Sequence, residues 1–260
     1  MDWWLKFCID ISKKVVKRVM KRVLDTHVHT ISSGHAYSTL KEYVDQGKEI
    51  GLQLIGITDH GPKMPGGPHI FHLLNQRVIP SVIDGVRILK GAEVNIMDFN
   101  GNLDVETWAL DRLEIIIASL HDVCLIPGNK EENTKALLGA MASGYVDVLG
   151  HTGNPAFPID IPVMVGAAKK HDVLIEINNS SLKPGGRKGS DVNCKAIAIE
   201  ARDQGAKIIL GSDAHISYDL GVFTEAEAML KEIGYPDEMI INNSVDNLLE
   251  FLEKKRERRV

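Results

Sequence analysis

The sequence is poor in thiols. Its 260 residues include three cysteines, Cys8, Cys124 and Cys194, widely spaced and without a CxxC pair. That spacing excludes a disulfide framework and a thiolate zinc site. Each cysteine reads as a small buried apolar residue in a protein of the reducing cytoplasm. Charge of one sign is also lacking: 35 acids stand against 30 bases, a net charge of −5. Such a balance gives no general attraction to nucleic acid or to an anionic membrane. No Pro/Gly/Ser linker and no low-complexity tract divides the chain, so residues 22–260 read as one large domain. What is present is an apolar fraction of 44%, enough for a sizeable core.

Residues 1–21 stand apart as an extension. The first 22 residues hold seven Lys or Arg and two Asp, a surplus of five that leaves −10 on the remainder. Trp4, Leu5, Cys8, Ile9, Ser12, Val15, Val16 and Val19 recur at roughly helical spacing, with Lys6, Lys13, Lys17 and Lys21 mostly off that stripe. One reading is a basic amphipathic helix in contact with a membrane surface. The segment is too short and too charged to span a bilayer, and no small-residue cleavage site follows an apolar core. The favoured reading is blander. Met20-Lys21-Arg22-Val23-Leu24-Asp25 resembles a chain start just before a strand, which makes residues 1–19 a mis-called start or a dispensable extension.

Beyond residue 22 a strand-then-helix rhythm repeats seven times. The pattern predicts strands over Arg22–His27, Leu54–Asp59, Arg87–Val94, Glu114–His121, Val146–His151, Val173–Asn178 and Lys207–Asp213. Helices are expected over Tyr37–Ile50, Phe71–Asp84, Asn133–Ser143, Ile161–His171, Asp191–Gln204, Phe223–Ile233 and Val245–Arg258, with a weaker one over Asp104–Asp111. Alternation of this kind implies parallel strands with right-handed crossovers. It suits both an open doubly wound sheet and a barrel. The placement of polar residues separates the two: His27, His29, His60, Glu93, His121, His151, Asp213 and His215 fall at or just past the C-terminal ends of at least six strands. An open sheet gathers two or three strand ends at a switch point, whereas a closed barrel gathers them all. A seven-stranded variant of the β/α barrel is therefore expected.

With His35, that set comprises seven imidazoles and two carboxylates. Val23, Asp25, His27 and His29 share one parity, so a strand would point them the same way. His60 continues the phase of Leu54, Gly56 and Thr58. Glu93, His121 and Asp213 continue their own strands in the same manner. Nine candidates are too many for one divalent ion and suffice for two or three. Imidazole-rich, thiolate-free coordination suits zinc, manganese or iron better than magnesium or calcium. Two loops should lie over the same end: Gly61–Pro68, and Ser180–Ser190 with Lys183, Arg187 and Lys188, a basic loop suited to an anion.

These residues resemble those of the PHP (polymerase and histidinol phosphatase) superfamily, most closely its YcdX-type phosphatases. The resemblance is carried by DTHVHT at 25–30, GHAYST at 34–39, GITDHGPKMP at 56–65, GAEVNI at 91–96, HD at 121–122, GHTGNP at 150–155, EINNSS at 176–181, GRKGSD at 186–191 and GSDAH at 211–215, and it runs from about Leu24 to the C-terminus. It implies a distorted (β/α)7 barrel with three metal ions. The first would be held by His27, His29, Glu93 and Asp213, the second by Glu93, His121 and His151, and the third by His35, His60 and His215. Zinc is favoured, with manganese or iron as alternatives.

The chemistry such a cluster suits is phosphate-monoester hydrolysis by a metal-bound hydroxide held near Glu93 and Asp213. The partner would be a small phosphorylated substrate. Arg187 and Lys188 could hold phosphate oxygens, or be solvated loop charges. His69 could donate a proton to the leaving alcohol, or serve as a cap. Asn178 reads as a metal-water or substrate contact, against turn chemistry after its strand. Asp59 and Asp122 could orient imidazoles. The competing functions are a PHP-type phosphodiesterase or 3′–5′ exonuclease, and a non-catalytic barrel that binds a phosphorylated ligand. An amidohydrolase is disfavoured because His35, His60 and His215 exceed a two-metal site.

Overall fold

The computed structural model describes residues 22–258; the amphipathic helix expected within the first 21 residues lies outside them. Eight strands form the sheet: β1 (Leu24–Asp25), β2 (Leu54–Ile57), β3 (Val82–Ile83), β4 (Val86–Asn95), β5 (Ile115–Ser119), β6 (Val148–Leu149), β7 (Leu174–Asn178) and β8 (Ile208–Gly211). All but β3 run parallel and neighbour one another in chain order. The helices between them are α1 (Leu40–Ile50), α2 (Ile70–Asn75), α3 (Thr107–Leu110), α4 (Lys130–Ala142), α5 (Ile161–Lys170), α6 (Asn179–Leu182), α7 (Ser190–Gln204) and α8 (Thr224–Glu232), and α9 (Val245–Glu257) ends the chain. The expected seven-stranded β/α barrel is what forms, nearly closed.

Strand alternation sorts the apolar residues into two shells. Leu24, Leu54, Leu89, Ile115, Ile117, Val148, Leu174 and Ile209 meet inside the barrel and pack with Leu248 and Leu252 of α9. α9 thus closes the N-terminal end of the barrel with leucines, each contributing about 1.5–3 kcal/mol by burial. The outward set, including Ile55, Ile57 and Ile88, packs on Tyr43 and Val44 of α1. Ile116, Ile175, Ile177 and Leu210 do the same under the later helices. Polar side chains are left for the C-terminal end.

The distortion lies at the seam between β8 and β1, which share a single bridge, Val28 to Ala214, instead of a ladder. Side chains replace the missing rungs. Asn242 donates to Leu24 O (3.1 Å) and Leu210 O (2.9 Å) and accepts from Leu210 N (2.7 Å). The Asp25 carboxylate accepts from Ser212 N (3.3 Å) and Gly221 N (2.9 Å). The Tyr43 hydroxyl lies 2.9 Å from both His29 O and Ala214 O. Consequently Leu24 is the residue of β1 that joins the inner shell, and Asp25 turns to the seam. The alternation expected from Val23 to His29 slips between Asp25 and His27.

Other boundaries differ for local reasons. The helix expected over Phe71–Asp84 is short α2, a 3₁₀ turn at Gln76–Val78, and then β3. Pro80 stops a helix, and Asp84-Gly85, with φ of 50° and 86°, makes a two-residue hairpin turn into β4. Within Asp104–Asp111 only Thr107–Leu110 is helical. α4 starts at Lys130, before the expected Asn133, because Asn129 and Glu132 form a capping box.

Candidate metal centre

The C-terminal strand ends bring the nine candidates into one nest around Glu93, which is fully buried at the end of β4. His27 Nε2 lies 3.4 Å from Glu93 Oε1 and 3.6 Å from Asp213 Oδ1. His29 Nε2 is 3.5 Å from Glu93 Oε2 and 3.3 Å from Asp213 Oδ1. His151 Nε2 and His121 Nε2 approach Glu93 Oε1 at 2.8 and 3.4 Å. His60 Nδ1 stands 2.8 Å from Glu93 Oε2, and its Nε2 is 3.3 Å from His35 Nε2. His35 Nε2 in turn is 3.1 Å from His215 Nε2. Potential ligand atoms of His27, His29 and Asp213 lie within 4.8 Å of one another, as do those of His29, His60 and His215, and of His60, Glu93 and His121. His151 and Asp213 hold left-handed backbone, φ 31° and 53°. Such strain costs on the order of 1–3 kcal/mol and concentrates at functional sites.

The tautomers follow from the partners. The Ser33 hydroxyl lies 2.7 Å from the Asp59 carboxylate, to which it must donate, so His29 Nδ1, 3.2 Å from Ser33 Oγ, must donate to it. Asn95 Nδ2 donates to Asp104 (2.6 Å), leaving Asn95 Oδ1 to accept from His121 Nδ1 (2.7 Å). His215 Nδ1 donates to the carbonyl of Asp213 (3.0 Å). His27 Nδ1 faces a carboxylate, that of Glu176, at 2.5 Å. Four imidazoles therefore spend Nδ1 as a donor and turn an Nε2 lone pair into the nest, the arrangement a metal-binding histidine needs.

Electrostatics favour the ligand form of His29, His35, His151, Glu93 and Asp213, whereas His27 is drawn toward its protonated form until an ion replaces the proton on Nε2. Burial, reinforced by neighbouring His60, pushes His29 down to about 3, and burial with Arg187 pushes His151 down to about 4. Burial and His215 lower His35. Burial also weighs on His27, but the Glu176 and Glu93 carboxylates outweigh it and hold that imidazole well above its ordinary value. Burial would raise Glu93 and Asp213, yet the imidazoles around them hold both carboxylates well below the usual range. His27 Nε2, His29 Nε2, His60 Nδ1 and Glu93 Oε2 are buried and make no hydrogen bond. Orphaned buried polar atoms are costly. Divalent ions would satisfy His27 Nε2, His29 Nε2 and Glu93 Oε2, so the residues present fit the metals that the sequence implies.

A model of the PHP domain matches residues 25–180, more than half of the chain. The chain belongs to the PHP family. Along 91% of its length it is 51% identical to a probable phosphatase of Clostridium botulinum (strain Langeland / NCTC 10281 / Type F), covering 96% of that protein. It is 52% identical over the same share to a probable phosphatase of Thermoanaerobacter sp. (strain X514), covering 97% of it. The fold is shared with a crystal structure of histidinol phosphate phosphatase from Lactococcus lactis, complexed with zinc, L-histidinol and phosphate, at a TM-score of 0.54 and 17% identity, over 83% of this chain and 95% of that one.

Around the nest of this PHP chain the other expected residues divide. Arg187 reaches its edge, 3.7 Å from Asp213 Oδ2, and donates to Ser181 Oγ at 2.7 Å. Lys188 is exposed, and Lys183 pairs with Asp219 at 2.9 Å. His69 is an exposed N-cap of α2 whose Nδ1 accepts from Phe71 N. Asp122 is exposed, and Asn95 takes the orienting place at His121. Asp59 accepts from Thr30, Ser33 and the His72 ring. Asn178 is fully buried: its Oδ1 caps α6 through Ser181 N, in keeping with the turn chemistry also read for it, and its Nδ2 lies 3.3 Å from Asp213 Oδ2. Sequence reasoning missed Asn95, Ser33, His72 and Glu176. Only Glu176 carried a signal, an acid at an inward position of a buried strand.

Proposed function

We propose that this chain hydrolyses phosphate monoesters with three divalent ions, zinc in the first instance and manganese or iron as alternatives. Its standing as a phosphatase rests on kinship along nearly its whole length with proteins of that class. The ion count is supported by one observation: His27 Nε2, His29 Nε2, His60 Nδ1 and Glu93 Oε2 converge beside the Asp213 carboxylate, buried and without a hydrogen bond. His27, His29, Glu93 and Asp213 would hold one ion; Glu93, His121 and His151 a second; His35, His60 and His215 a third. Bound ions lower the pKa of water and screen the charge that builds on a phosphoryl group.

The remaining steps belong to side chains. Arg187, at the rim, is suited to a two-pronged hold on phosphate oxygens, and Lys188 adds charge from the same loop. His69 spends Nδ1 as an acceptor, so its neutral ring carries the proton on Nε2, and in this proposal that proton goes to the leaving alcohol. No helix among the described residues is long and apolar enough to cross a membrane. With Cys124 and Cys194 both free, the proposed compartment is the cytoplasm.

A panel of phosphomonoesters and one phosphodiester, assayed with zinc, manganese, iron and magnesium in turn, tests the reading. Chelator-sensitive release of phosphate from monoesters is expected. Faster cleavage of the diester would favour the exonuclease reading, and saturable binding without turnover the non-catalytic one.

A further inference from the structure

β7 gives the nest no candidate ligand, yet its inward positions above Leu174 are polar: Glu176 and Asn178, both buried. Glu176 divides its carboxylate between two histidines. Oε1 lies 2.5 Å from His27 Nδ1, and Oε2 accepts from the backbone N of His151 at 2.7 Å. Asn178 Nδ2 donates both to Glu176 Oε2 (3.1 Å) and to Asp213 Oδ2 (3.3 Å). Its Oδ1 accepts from Ser181 N and Ser181 Oγ, each at 2.8 Å, and Ser181 Oγ meets Arg187. Room for this arrangement is reserved on β8. A Cβ placed on Gly211 would stand 1.8 Å from Glu176 Oε1 and 3.0 Å from the His27 Cβ.

We propose that Glu176 is the positioning residue of the centre. Its carboxylate accepts a hydrogen bond from the Nδ1–H of His27 and so leaves the Nε2 lone pair facing Glu93 and Asp213. Through Asn178 it steadies Asp213, and through Ser181 it joins the nest to the loop that carries Arg187. The strand without a ligand thus sets the geometry of ligands just past the ends of β1, β6 and β8. A carboxylate is the right group: it can only accept, whereas a neutral amide lets the ring choose either tautomer. The inference rests on the metal reading above, and its test separates the two.

The test uses the full chain and zinc alone, with Glu176→Gln, which keeps the shape of the side chain, and Gly211→Ala, which crowds it. Zinc affinity is measured by competition with a chromogenic chelator. The His27 ring is followed by proton–nitrogen spectra of the zinc-loaded protein. Glu176→Gln should bind zinc roughly 10–100-fold more weakly, and the low-field Nδ1 proton of His27 should move upfield. Thermal unfolding of its metal-free form should match wild type. Gly211→Ala should lose zinc in the same way; if it fails to fold, Glu176→Gln decides. Wild-type zinc affinity and an unchanged His27 signal in Glu176→Gln would overturn the positioning role alone. Loss of cooperative unfolding in that variant would overturn it in favour of a purely structural role. A wild-type chain that binds no zinc would overturn both this inference and the metal centre beneath it.

Discussion

Glu93 is the residue on which the candidate centre turns. Its two oxygens face His27, His29, His60, His121 and His151 within 3.5 Å. Glu93→Gln keeps the volume and removes the charge. Metal content and phosphatase turnover should then fall together, the first read by elemental analysis and the second by phosphate release. Full metal content in the variant would move the bridge elsewhere. Arg187 differs, because it sits at the rim. Arg187→Ala should raise KM for phosphomonoesters by roughly 10-fold with kcat changed less, the signature of lost ground-state binding, and leave metal content intact. Unchanged kinetics would make it a solvated charge. Most of the nest residues were legible because they fall at or just past the C-terminal ends of strands, and His60, Glu93, His121 and Asp213 continue the inward phase of theirs. Asn95, Ser33 and Glu176 were not read because their roles depend on which imidazole stands opposite, and one chain read alone does not show that.

At the scale of elements, the βα rhythm was legible because strand-like apolar runs alternate with helical stretches along the chain. The errors have physical causes. Phe71–Asp84 looked helical by composition, although Pro80 and the Asp84-Gly85 turn break it. The seam was invisible, since Asn242 lies far from β1 in sequence and its three hydrogen bonds replace a ladder that the barrel does not make. Removing that amide leaves buried backbone groups unsatisfied, at about 1–3 kcal/mol each. Asn242→Ala should therefore destabilise the protein by about 3 kcal/mol, read as a thermal midpoint lower by roughly 6–12 °C. A midpoint equal to wild type would mean that water or a strand shift closes the seam.

At the scale of the whole molecule, the barrel is the device that brings distant residues together. His27 and His215 are 188 positions apart in sequence, yet both belong to one nest. The closed architecture was legible from the spread of polar strand ends over the chain. On the number of ions the sequence offered only an excess of candidates over what one ion can use. The orphaned nitrogens and the close-set imidazoles, with His29 4.3 Å from His60 and 4.4 Å from His215 between ring centroids, give that excess a spatial meaning. The most direct measurement is the metal-to-protein ratio of chain purified without chelator, by elemental analysis. More than two ions per chain, of the zinc, manganese or iron kind, is the expected result; a single well-occupied ion per chain would contradict the three-ion centre.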